Sequence, residues 1–446
     1  MTLQSRFEFE SDHIVDSLRS IQPRHCGILT RIVGLTLEAT GIKASVGSVC
    51  RILRGETESE YVDAQVVGFE AGVVYLMPLW GSQGLQAGDK VYVKSEADFA
   101  DVGDALMGRV VGPLGDSLDG KGQIAADTQL SLAGNSINPM QRRPIDRVLD
   151  VGVRAINALL TVGCGQRIGL IAGSGVGKSV LLAMLTKFTS ADVVVIGLIG
   201  ERGREVKEFV ENTLGEDGMR RAIVVAAPAD QSPLLRIRAT HLAHLYAEYY
   251  RSQGKDVLLL LDSLTRVAHA QREIGLAVGE PPTAKGYPPS VFSLLPNLIE
   301  RTGTGRSDEG TVTAMYTLLA EGDDLNDPVV DLARASLDGQ VILSRSLADS
   351  AHYPAIDLAG SISRLMPIIV EGQSLSFANR FRRLWTLYQQ NQDLIQVGAY
   401  SVGSNKDIDE AIELRPQMEE FLQQPMEELS RMDESLARLS NCLGSE

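Results

Sequence analysis

The chain has 446 residues, enough for two to four domains at roughly 100–200 residues each, and it is 44% hydrophobic and 22% charged, as an average globular protein is. A formal net charge of −15 argues against a protein that holds nucleic acid through a global basic field. No apolar run reaches the roughly 18 residues of a transmembrane helix, and the four scattered cysteines indicate reduced thiols in a cytosolic protein.

The first 97 residues contain two different patterns. Residues 1–24 are polar, with apolar side chains at roughly helical intervals, which fits either a helix that lies against a partner or a frayed terminus. Residues 25–97 contain short β-prone runs separated by glycine-containing turns, which predicts a small β-barrel or sandwich. The predicted strands are Ile28–Val33, Val46–Leu53, Ala64–Phe69, Val73–Leu79 and Lys90–Lys94.

An α/β pattern follows. Leu106–Arg143 is rich in Gly, Asp and Pro and predicts a long irregular connection. Beyond it, apolar strands alternate with helical patterns up to Ile369, which predicts a parallel sheet covered on both faces. The predicted strands are Arg167–Ala172, Asp192–Ile199, Ala222–Ala227, Val257–Asp262, Thr311–Leu319 and Gln340–Leu343. The predicted helices are Lys178–Lys187, Glu205–Thr213, Pro233–Arg251 and Leu264–Ile274.

The remaining residues, 371–446, are helical and charged in pattern, with predicted helices at Phe377–Gln392, Ile408–Ile412 and Pro416–Leu439. The predicted boundaries therefore divide the chain into an N-terminal segment (1–24), a barrel (25–97), an α/β core (98–370) and a C-terminal helical domain (371–446).

Ala172–Ser179 is a glycine-rich loop between an apolar strand and a helix, and it follows the phosphate-loop pattern with Ala172 in place of the first glycine. Glycines let backbone N–H groups approach phosphates, and the helix adds its positive N-terminal end. Lys178 is expected to neutralise the β- and γ-phosphates, and the Ser179 hydroxyl to bind Mg²⁺.

Two carboxylates stand at the ends of apolar strands. Asp262 ends the strand Val257–Asp262, where such an aspartate helps to hold Mg²⁺ in phosphate-loop enzymes. Glu201 follows the strand after the phosphate loop, where a carboxylate can orient the attacking water. The charged neighbours of Glu201 fit a solvated helix start equally well.

The sequence pattern alone leaves the roles of two further residues open. Arg364 can act on a γ-phosphate across an interface, yet a salt-bridging surface arginine fits the pattern as well. Tyr353 can stack on adenine or pack against the protein. The residues by themselves predict a Mg²⁺-dependent nucleotide hydrolase and leave open what the hydrolysis drives.

These motifs, in this order, resemble those of the catalytic subunit of rotary ATP synthases and of the related ATPases that energise type III protein export. The resemblance covers nearly the whole chain and is strongest to the flagellum-specific export ATPases. The segments that carry it are Arg143–Asp146, Gly152–Leu160, Ala172–Leu181, Ile199–Glu205, Pro228–Arg236, Asp262–Arg266, Gly279–Phe292 and Val397–Ser404.

The resemblance implies an α/β fold with a RecA-like P-loop NTPase core and parallel sheet, preceded by a small β-barrel and followed by a helical domain. It implies ATP as substrate and Mg²⁺ as the metal, held by Ser179 and Asp262. The implied nucleotide-binding residues are Ala172, Gly173, Ser174, Gly175, Val176, Gly177, Lys178, Ser179, Val180 and Tyr353. The implied catalytic residues are Glu201, which polarises water, Lys178, Arg202, Arg266 near the γ-phosphate, and Arg364, the finger supplied in trans.

The resemblance also implies a cytoplasmic homohexamer that docks beneath a membrane export gate. Its N-terminal segment is expected to bind a stator-like negative regulator, and its C-terminal domain to meet substrate–chaperone complexes and a central stalk protein. Because Glu201 stands where non-catalytic relatives carry Gln, an active enzyme is expected. No nucleic-acid partner is expected.

Four alternatives remain at this point. The ATPase of a virulence-type secretion system has the same chemistry, although the tail segment Val397–Ser404 favours the flagellar branch. A rotary synthase subunit is disfavoured by Ser179 where Thr is usual. A ring RNA translocase is disfavoured by the acidic charge and by a barrel without interleaved basic and aromatic residues. A scaffold with an inactive nucleotide site is the non-enzymatic alternative.

Overall fold

The computed structural model describes residues 25–55, 60–95, 98–320, 324 and 326–444. These residues form two compact units that divide between Asp98 and Phe99. The helix expected within residues 1–24 lies outside the described residues, so its role stays a prediction. The boundary after residue 370 also stays a prediction, because the C-terminal helices belong to the same compact unit as the sheet.

The first unit contains a closed antiparallel β-barrel, in agreement with the predicted fold class. The order of its strands around the described barrel is β1-β2-β5-β4-β3-β6. Their bounds are Cys26–Val33 (β1), Thr36–Thr40 (β2), Val49–Leu53 (β3), Tyr61–Glu70 (β4), Val73–Pro78 (β5) and Lys90–Ser95 (β6).

Alternation of inward apolar and outward polar side chains builds this barrel. In β4, Val62, Ala64 and Val66 face the barrel core and the residues between them are more exposed. Strand β2 was not predicted, because it is short and follows a tight turn in which Gly34 adopts a φ of 58°, a value that favours glycine.

The second unit is built on one large, mainly parallel sheet. The order across its main path is β19-β18-β12-β17-β15-β13-β14-β8, with β16 paired to β17, and only β19 and β16 run antiparallel to their neighbours within this described sheet. The strands are β8 (Val110–Val111), β12 (Arg167–Ala172), β13 (Val193–Ile199), β14 (Ala222–Ala227), β15 (Asp256–Asp262), β16 (Gly303–Thr304), β17 (Thr311–Leu319), β18 (Gly339–Leu343) and β19 (Ile356–Ser363).

Four short strands accompany this sheet. They form two separate antiparallel pairs, β7 (Phe99–Val102) with β9 (Thr128–Ser131), and β10 (Val148–Leu149) with β11 (Val162–Gly163). The connection Leu106–Arg143, predicted to be irregular, contains two short strands, β8 and β9. Strand β8 is the edge strand of the large sheet and pairs with β14.

Helices cover both faces of the sheet, as the predicted α/β fold requires. Their bounds are Arg154–Leu159 (α1), Lys178–Phe188 (α2), Gly203–Glu208 (α3), Gly215–Met219 (α4), Pro233–Ser252 (α5), Leu264–Ala277 (α6), Pro289–Glu300 (α7), Pro328–Ser336 (α8), Arg345–Asp349 (α9), Met366–Ile369 (α10), Gly372–Gln396 (α11), Lys406–Leu422 (α12) and Met432–Leu443 (α13). A π-helical turn, Phe209–Leu214, separates α3 from α4, where the sequence predicts one helix, Glu205–Thr213.

The central strands are apolar because both of their faces are buried. In β15, Leu258 and Leu260 pack in the hydrophobic cluster that contains α1 and α2, whereas Leu259 and Leu261 pack in the cluster that contains α5 and α6. Such strands read as continuous apolar runs rather than as alternating ones. This explains why the sequence located them closely.

The C-terminal helices differ from the prediction at two points, because one helix, α12, contains the predicted helix Ile408–Ile412 and continues past Pro416. The helix predicted over Pro416–Leu439 is wrong: α12 ends at Leu422, α13 begins at Met432, and Pro416 lies inside α12. The interruption is stabilised by Arg154, at the start of α1. Its guanidinium donates to the carbonyls of Phe421 and Gln423, both at 3.1 Å.

Arg154 is a buried clamp between the sheet unit's first helix and the C-terminal helices. Only 4% of its side chain is exposed, and the guanidinium also pairs with the Glu428 carboxylate. Its backbone N–H donates to Gln424 Oε1 at 2.7 Å. Four hydrogen bonds of Arg154 therefore fix the segment between α12 and α13 to the core.

We expect Arg154→Leu to lower the free energy of unfolding by roughly 3–5 kcal/mol, because it removes the buried donor of the Phe421 and Gln423 carbonyls and of the half-buried Glu428 carboxylate. The measurement is denaturant unfolding, combined with hydrogen exchange of the α12 amides. The matched control is Arg438→Leu, which removes the other partner of Glu428 at 2.9 Å from a position that is 53% exposed. That change should cost less than about 1 kcal/mol, and equal costs for the two variants would contradict the clamp.

Candidate active site

The glycine-rich loop joins the end of β12 at Ala172 to the start of α2 at Lys178. Gly175 and Gly177 have φ values of 79° and 89°, in the left-handed region that glycine adopts without strain. A side chain built on Gly175 would meet no atom within 4 Å, so the loop opens there. The N-terminus of α2, with its free N–H groups, therefore faces an open anion-binding position.

Lys178 lies between the two predicted carboxylates. Its Nζ is 2.5 Å from Asp262 Oδ1 and 3.5 Å from Glu201 Oε1. All three side chains are largely buried, with exposed fractions of 13%, 5% and 17% for Lys178, Asp262 and Glu201. The structure therefore brings together the three residues that the sequence assigned to phosphate, metal and water.

Sheet register explains this meeting. Strand β15 lies two places from β12 in the sheet, and both end at the same edge because they are parallel. Asp262 follows Leu258 and Leu260 at alternate positions, so it points to the face that α2 covers. Glu201 follows β13, the neighbour of β15, at the same edge.

Burial raises the pKa of Glu201 above its ordinary value, the Lys178 ammonium opposes that rise, and the nearby Asp262 carboxylate adds to it. A carboxylate held in this way is a stronger base than one in water. It suits a group that orients and polarises a water molecule.

Arg266, in the first turn of α6, lies beside Gly200, the residue before Glu201. Gly200 makes this possible, because a Cβ on Gly200 would come within 2.9 Å of Arg266 Cβ, and the φ of Gly200 is 74°. The Arg266 Nε is buried and has no hydrogen-bond partner among the described residues. A buried cationic donor in this position fits an anionic ligand.

Tyr353 also lies at the loop. Its ring carbons are 3.3 and 3.4 Å from the position that a Cβ on Gly177 would occupy, and 45% of the residue is exposed. Its hydroxyl donates to the Ala348 carbonyl at 3.2 Å, which fixes the ring. An exposed, fixed aromatic face next to the phosphate loop is suited to stack on a base.

The other predicted residues are placed differently. Ser179 and Val180 open α2 and are exposed. Arg202 is 71% exposed and pairs with Glu205 at 3.3 Å rather than facing Lys178. Arg364 is exposed and lies at the opposite edge of the sheet, where its backbone N–H donates to the Asp338 carbonyl at 2.9 Å.

Two residues near the site were not predicted. The Thr317 hydroxyl donates to Asp262 Oδ1 at 2.6 Å. Arg345, at the start of α9, donates from Nη1 to the Ser174 carbonyl in the phosphate loop at 3.2 Å. The signal that could have found Thr317 is a hydroxyl residue near the end of an otherwise apolar buried strand.

The oxygen ligands of the site are of the kind that Mg²⁺ prefers, a hydroxyl at Ser179 and a carboxylate at Asp262. Among the described residues, no group of three or more His, Cys, Asp or Glu side chains forms a metal site of its own. The residues present therefore fit an ion that is held jointly by Ser179, Asp262 and nucleotide phosphates.

A parallel sheet, a glycine-rich loop before a helix and a lysine between two strand-end carboxylates define a phosphate-loop nucleotide hydrolase with a RecA-like core. Two family profiles match the chain. The ATP synthase alpha/beta family, nucleotide-binding domain, matches residues 152–363, and the T3SS EscN ATPase C-terminal domain matches residues 370–441.

Similar proteins cover nearly the whole chain. The flagellum-specific ATP synthase of Pseudomonas aeruginosa is 53% identical over 95% of this chain and 94% of its own length. That of Salmonella typhimurium is 51% identical over 93% of both chains. A type 3 secretion system ATPase of Xanthomonas euvesicatoria is 45% identical over 94% of both.

The solved structure of the assembled ATPase EscN from the type III secretion system of enteropathogenic E. coli is 38% identical, with a TM-score of 0.88 over 94% of this chain and 100% of EscN. EscN in complex with its central stalk EscO is similar at a TM-score of 0.86. This chain belongs to the family of flagellum-specific ATP synthases and type III secretion ATPases. It is an ATP-hydrolysing enzyme, and the resemblance stated from the motifs is confirmed.

Over the part of the chain that the structure describes, no helix combines the length and the apolar character needed to cross a membrane.

Glu201→Gln should abolish hydrolysis and raise stability near neutral pH. Because the folded-state pKa of Glu201 is raised, the folded protein binds more protons than the unfolded chain between the unfolded and folded pKa values. The stability that Glu201 contributes is present below its unfolded pKa and is lost as pH rises through the folded pKa. The variant does not titrate and keeps its stability.

Thermal unfolding measured from pH 4 to about 8 checks this expectation, together with ATP binding, which should be retained. The matched control is Glu211→Gln, in which a 59% exposed carboxylate in the π-helical turn Phe209–Leu214 is neutralised. If Glu201→Gln unfolds at a lower temperature than wild type at pH 8, burial of the ionised Glu201 carboxylate does not destabilise the folded protein, and the expectation is wrong.

Proposed function

We propose that this chain is the ATPase of a flagellar type III protein export apparatus and that hydrolysis at the Lys178 site drives release and unfolding of export substrates. The observation that carries the proposal is the buried contact of Lys178 with Asp262 and Glu201 at the end of a parallel sheet. The identity to the flagellum-specific ATP synthase of Pseudomonas aeruginosa (53%) is higher than that to the type 3 secretion system ATPase of Xanthomonas euvesicatoria (45%), which favours the flagellar branch.

The proposed reaction begins when ATP phosphates enter the loop. The backbone N–H groups of the loop and the N-terminus of α2 bind the phosphates, and Lys178 exchanges its carboxylate partners for phosphate oxygens. Mg²⁺, held by Ser179 and Asp262, would neutralise charge on the β- and γ-phosphates. Tyr353 stacks on the adenine and fixes the nucleotide.

Release of Lys178 changes the state of Glu201. Without the ammonium, the rise that burial causes in the pKa of Glu201 is no longer opposed, so the carboxylate becomes a stronger base. Glu201 then orients the attacking water and accepts its proton as the phosphorus–oxygen bond to the leaving ADP breaks. Arg266, beside Gly200, stabilises the negative charge of the transferring group.

Arg364 is proposed to act on the ATP of a neighbouring subunit. Ser363 pairs with Gly339, at the amino end of β18, whereas Leu343 and Ala172 lie at the loop end of the sheet. The length of β12 alone, about 16 Å at ~3.3 Å per residue, separates the two edges. Arg364 is thus placed away from its own loop, so a homo-oligomer is needed to complete the site.

The partners and location are proposed on the same family basis. The relative EscN is described as assembled and in complex with a central stalk. We assign a central stalk and substrate–chaperone complexes to residues 371–446, and a stator-like negative regulator to residues 1–24. A homohexamer in the cytoplasm, docked at a membrane export gate, accommodates these partners.

Arg364→Ala should keep ATP binding and lose most hydrolysis at every protein concentration, because the finger contributes to the transition state alone. Wild-type activity should instead rise cooperatively with protein concentration as rings form. ATPase rates and equilibrium binding of a fluorescent ATP analogue, measured over the same concentrations, separate the two steps. Near-normal turnover in Arg364→Ala removes this residue from the finger role.

Mixing two inactive variants tests the arrangement in trans. Lys178→Ala lacks the loop cation and Arg364→Ala lacks the finger, so a mixed ring contains interfaces that have both groups. Random 1:1 assembly makes about a quarter of the sites complete, and activity should recover toward that fraction. The control is either variant mixed with itself. Failure to recover, with mixed rings shown by mass spectrometry, would exclude a finger in trans.

A further inference from the structure

Thr317 lies at the centre of the sheet, directly beside Asp262. Strand β17 lies between the phosphate-loop strand β12 and the Asp262 strand β15. Leu170 pairs with Thr317 on one side, and Leu261 pairs with Tyr316 on the other. Thr317 therefore lies on the strand between the phosphate-loop strand and the strand that ends in Asp262.

The side chain of Thr317 points to the same face as Asp262. Met315, two residues earlier, packs in the cluster that contains α2, as do Leu258 and Leu260 of β15. On this face of β15, Leu258 and Leu260 precede Asp262, and Thr317 of the neighbouring strand lies beside Asp262. A hydroxyl in such a place requires a hydrogen-bond partner, because its burial is otherwise unfavourable.

The partner is the carboxylate of Asp262. Thr317 is fully buried, and its Oγ1 donates to Asp262 Oδ1 at 2.6 Å, with the Leu261 carbonyl 3.3 Å away. The same Oδ1 accepts from Lys178 Nζ. Asp262 Oδ1 thus accepts two hydrogen bonds. One comes from the Thr317 hydroxyl on a central strand, and the other comes from the long, flexible Lys178 side chain.

These two donors behave differently during the proposed reaction. Lys178 leaves Asp262 when it binds phosphate, whereas the Thr317 hydroxyl is fixed by a β-branched side chain with few rotamers in a central strand. A carboxylate that loses its only anchored donor is free to rotate. With Thr317 in place, Oδ1 stays hydrogen-bonded to the sheet, and the orientation of the whole carboxylate is kept.

We propose that Thr317 is a positioning residue, which holds the Asp262 carboxylate in the orientation that binds Mg²⁺ or its bound water during hydrolysis. This inference rests on the proposed role of Asp262. It predicts that loss of the hydroxyl weakens the Mg²⁺ dependence of nucleotide binding, lowers kcat and raises the KM for ATP in the presence of Mg²⁺, while binding of metal-free ATP changes little.

The test compares Thr317→Val, which keeps the shape and removes the hydroxyl, with Thr317→Ser, which keeps the hydroxyl. The first readout is equilibrium binding of a fluorescent ATP analogue to the full chain, with and without Mg²⁺. In wild type and Thr317→Ser the affinity should rise with Mg²⁺. In Thr317→Val that gain should shrink by about tenfold, the effect of one hydrogen bond to a charged group.

The second readout is the steady-state rate. We expect kcat of Thr317→Val to fall about tenfold or more, with a higher Mg²⁺ concentration at half-maximal rate and a KM for ATP that rises with the loss of Mg²⁺-dependent affinity. Thr317→Ser should retain most of the wild-type rate. A merely structural role for Thr317 would alter stability without shifting the Mg²⁺ dependence.

The matched control is Thr313→Val. Thr313 lies on the same face of the same strand, is equally buried, and accepts from the Gly165 N–H at 2.8 Å, near the opposite edge of the sheet. This variant should lose stability and keep the Mg²⁺ dependence of wild type. If Thr317→Val and Thr313→Val behave alike in both readouts, the positioning role is overturned.

One further variant separates failure of this inference from failure of the proposed function. Asp262→Asn should abolish both the Mg²⁺ gain in affinity and hydrolysis. If it does so while Thr317→Val behaves as wild type, Asp262 acts without help from Thr317 and only this inference fails. If Asp262→Asn itself keeps the Mg²⁺ gain and the rate, the proposed role of Asp262 is wrong.

Discussion

The parallel arrangement of β12, β17, β15 and β13 is the constraint on which the site depends. In-register pairing brings the carboxyl ends of these strands to one edge, so a loop after β12, a carboxylate ending β15 and a carboxylate after β13 meet although they are far apart in sequence. Burial on both faces fixes the strands, because each apolar side chain packs under a helix. The reaction requires three charged groups close together, and the rigid carboxyl ends of these strands hold them there.

At these strand ends lies a cluster of three charged side chains in which Lys178 can exchange its carboxylate partners for phosphate. Lys178, buried against Asp262 and Glu201, compensates two carboxylates whose isolation from water is unfavourable. Phosphate must replace those carboxylates as the partner of Lys178, so binding energy is used to separate an existing ion cluster. The raised pKa of Glu201 shows that one lysine does not fully offset burial and the neighbouring aspartate. A site arranged in this way favours a ligand that brings both negative phosphates and a cation.

The sequence located most of this arrangement and missed what depends on contacts between distant segments. Long apolar strands such as β13 and β15, and the phosphate loop, have strong local patterns, so their positions were predicted within one or two residues. The end of α12 was missed because it depends on Arg154, more than 250 positions away. Thr317 was not predicted, because a single hydroxyl in an apolar strand does not indicate a function unless its hydrogen-bond partner, Asp262, is known. The opposite-edge placement of Arg364 depends on the direction of β19, which local sequence does not encode.

The direction of β19 has the widest consequence for the proposed mechanism. This strand runs antiparallel to β18, so the chain returns from the loop edge at Ile356 to the far edge at Ser363 before it reaches Arg364. One subunit therefore offers its loop at one edge of the sheet and its arginine at the other. If Arg364 completes a neighbour's site, each subunit gives a different surface to each neighbour, which is the geometry of a closed ring rather than of a self-complementary pair. Under that proposal, activity measures assembly as well as chemistry, because the two halves of each site come from different chains.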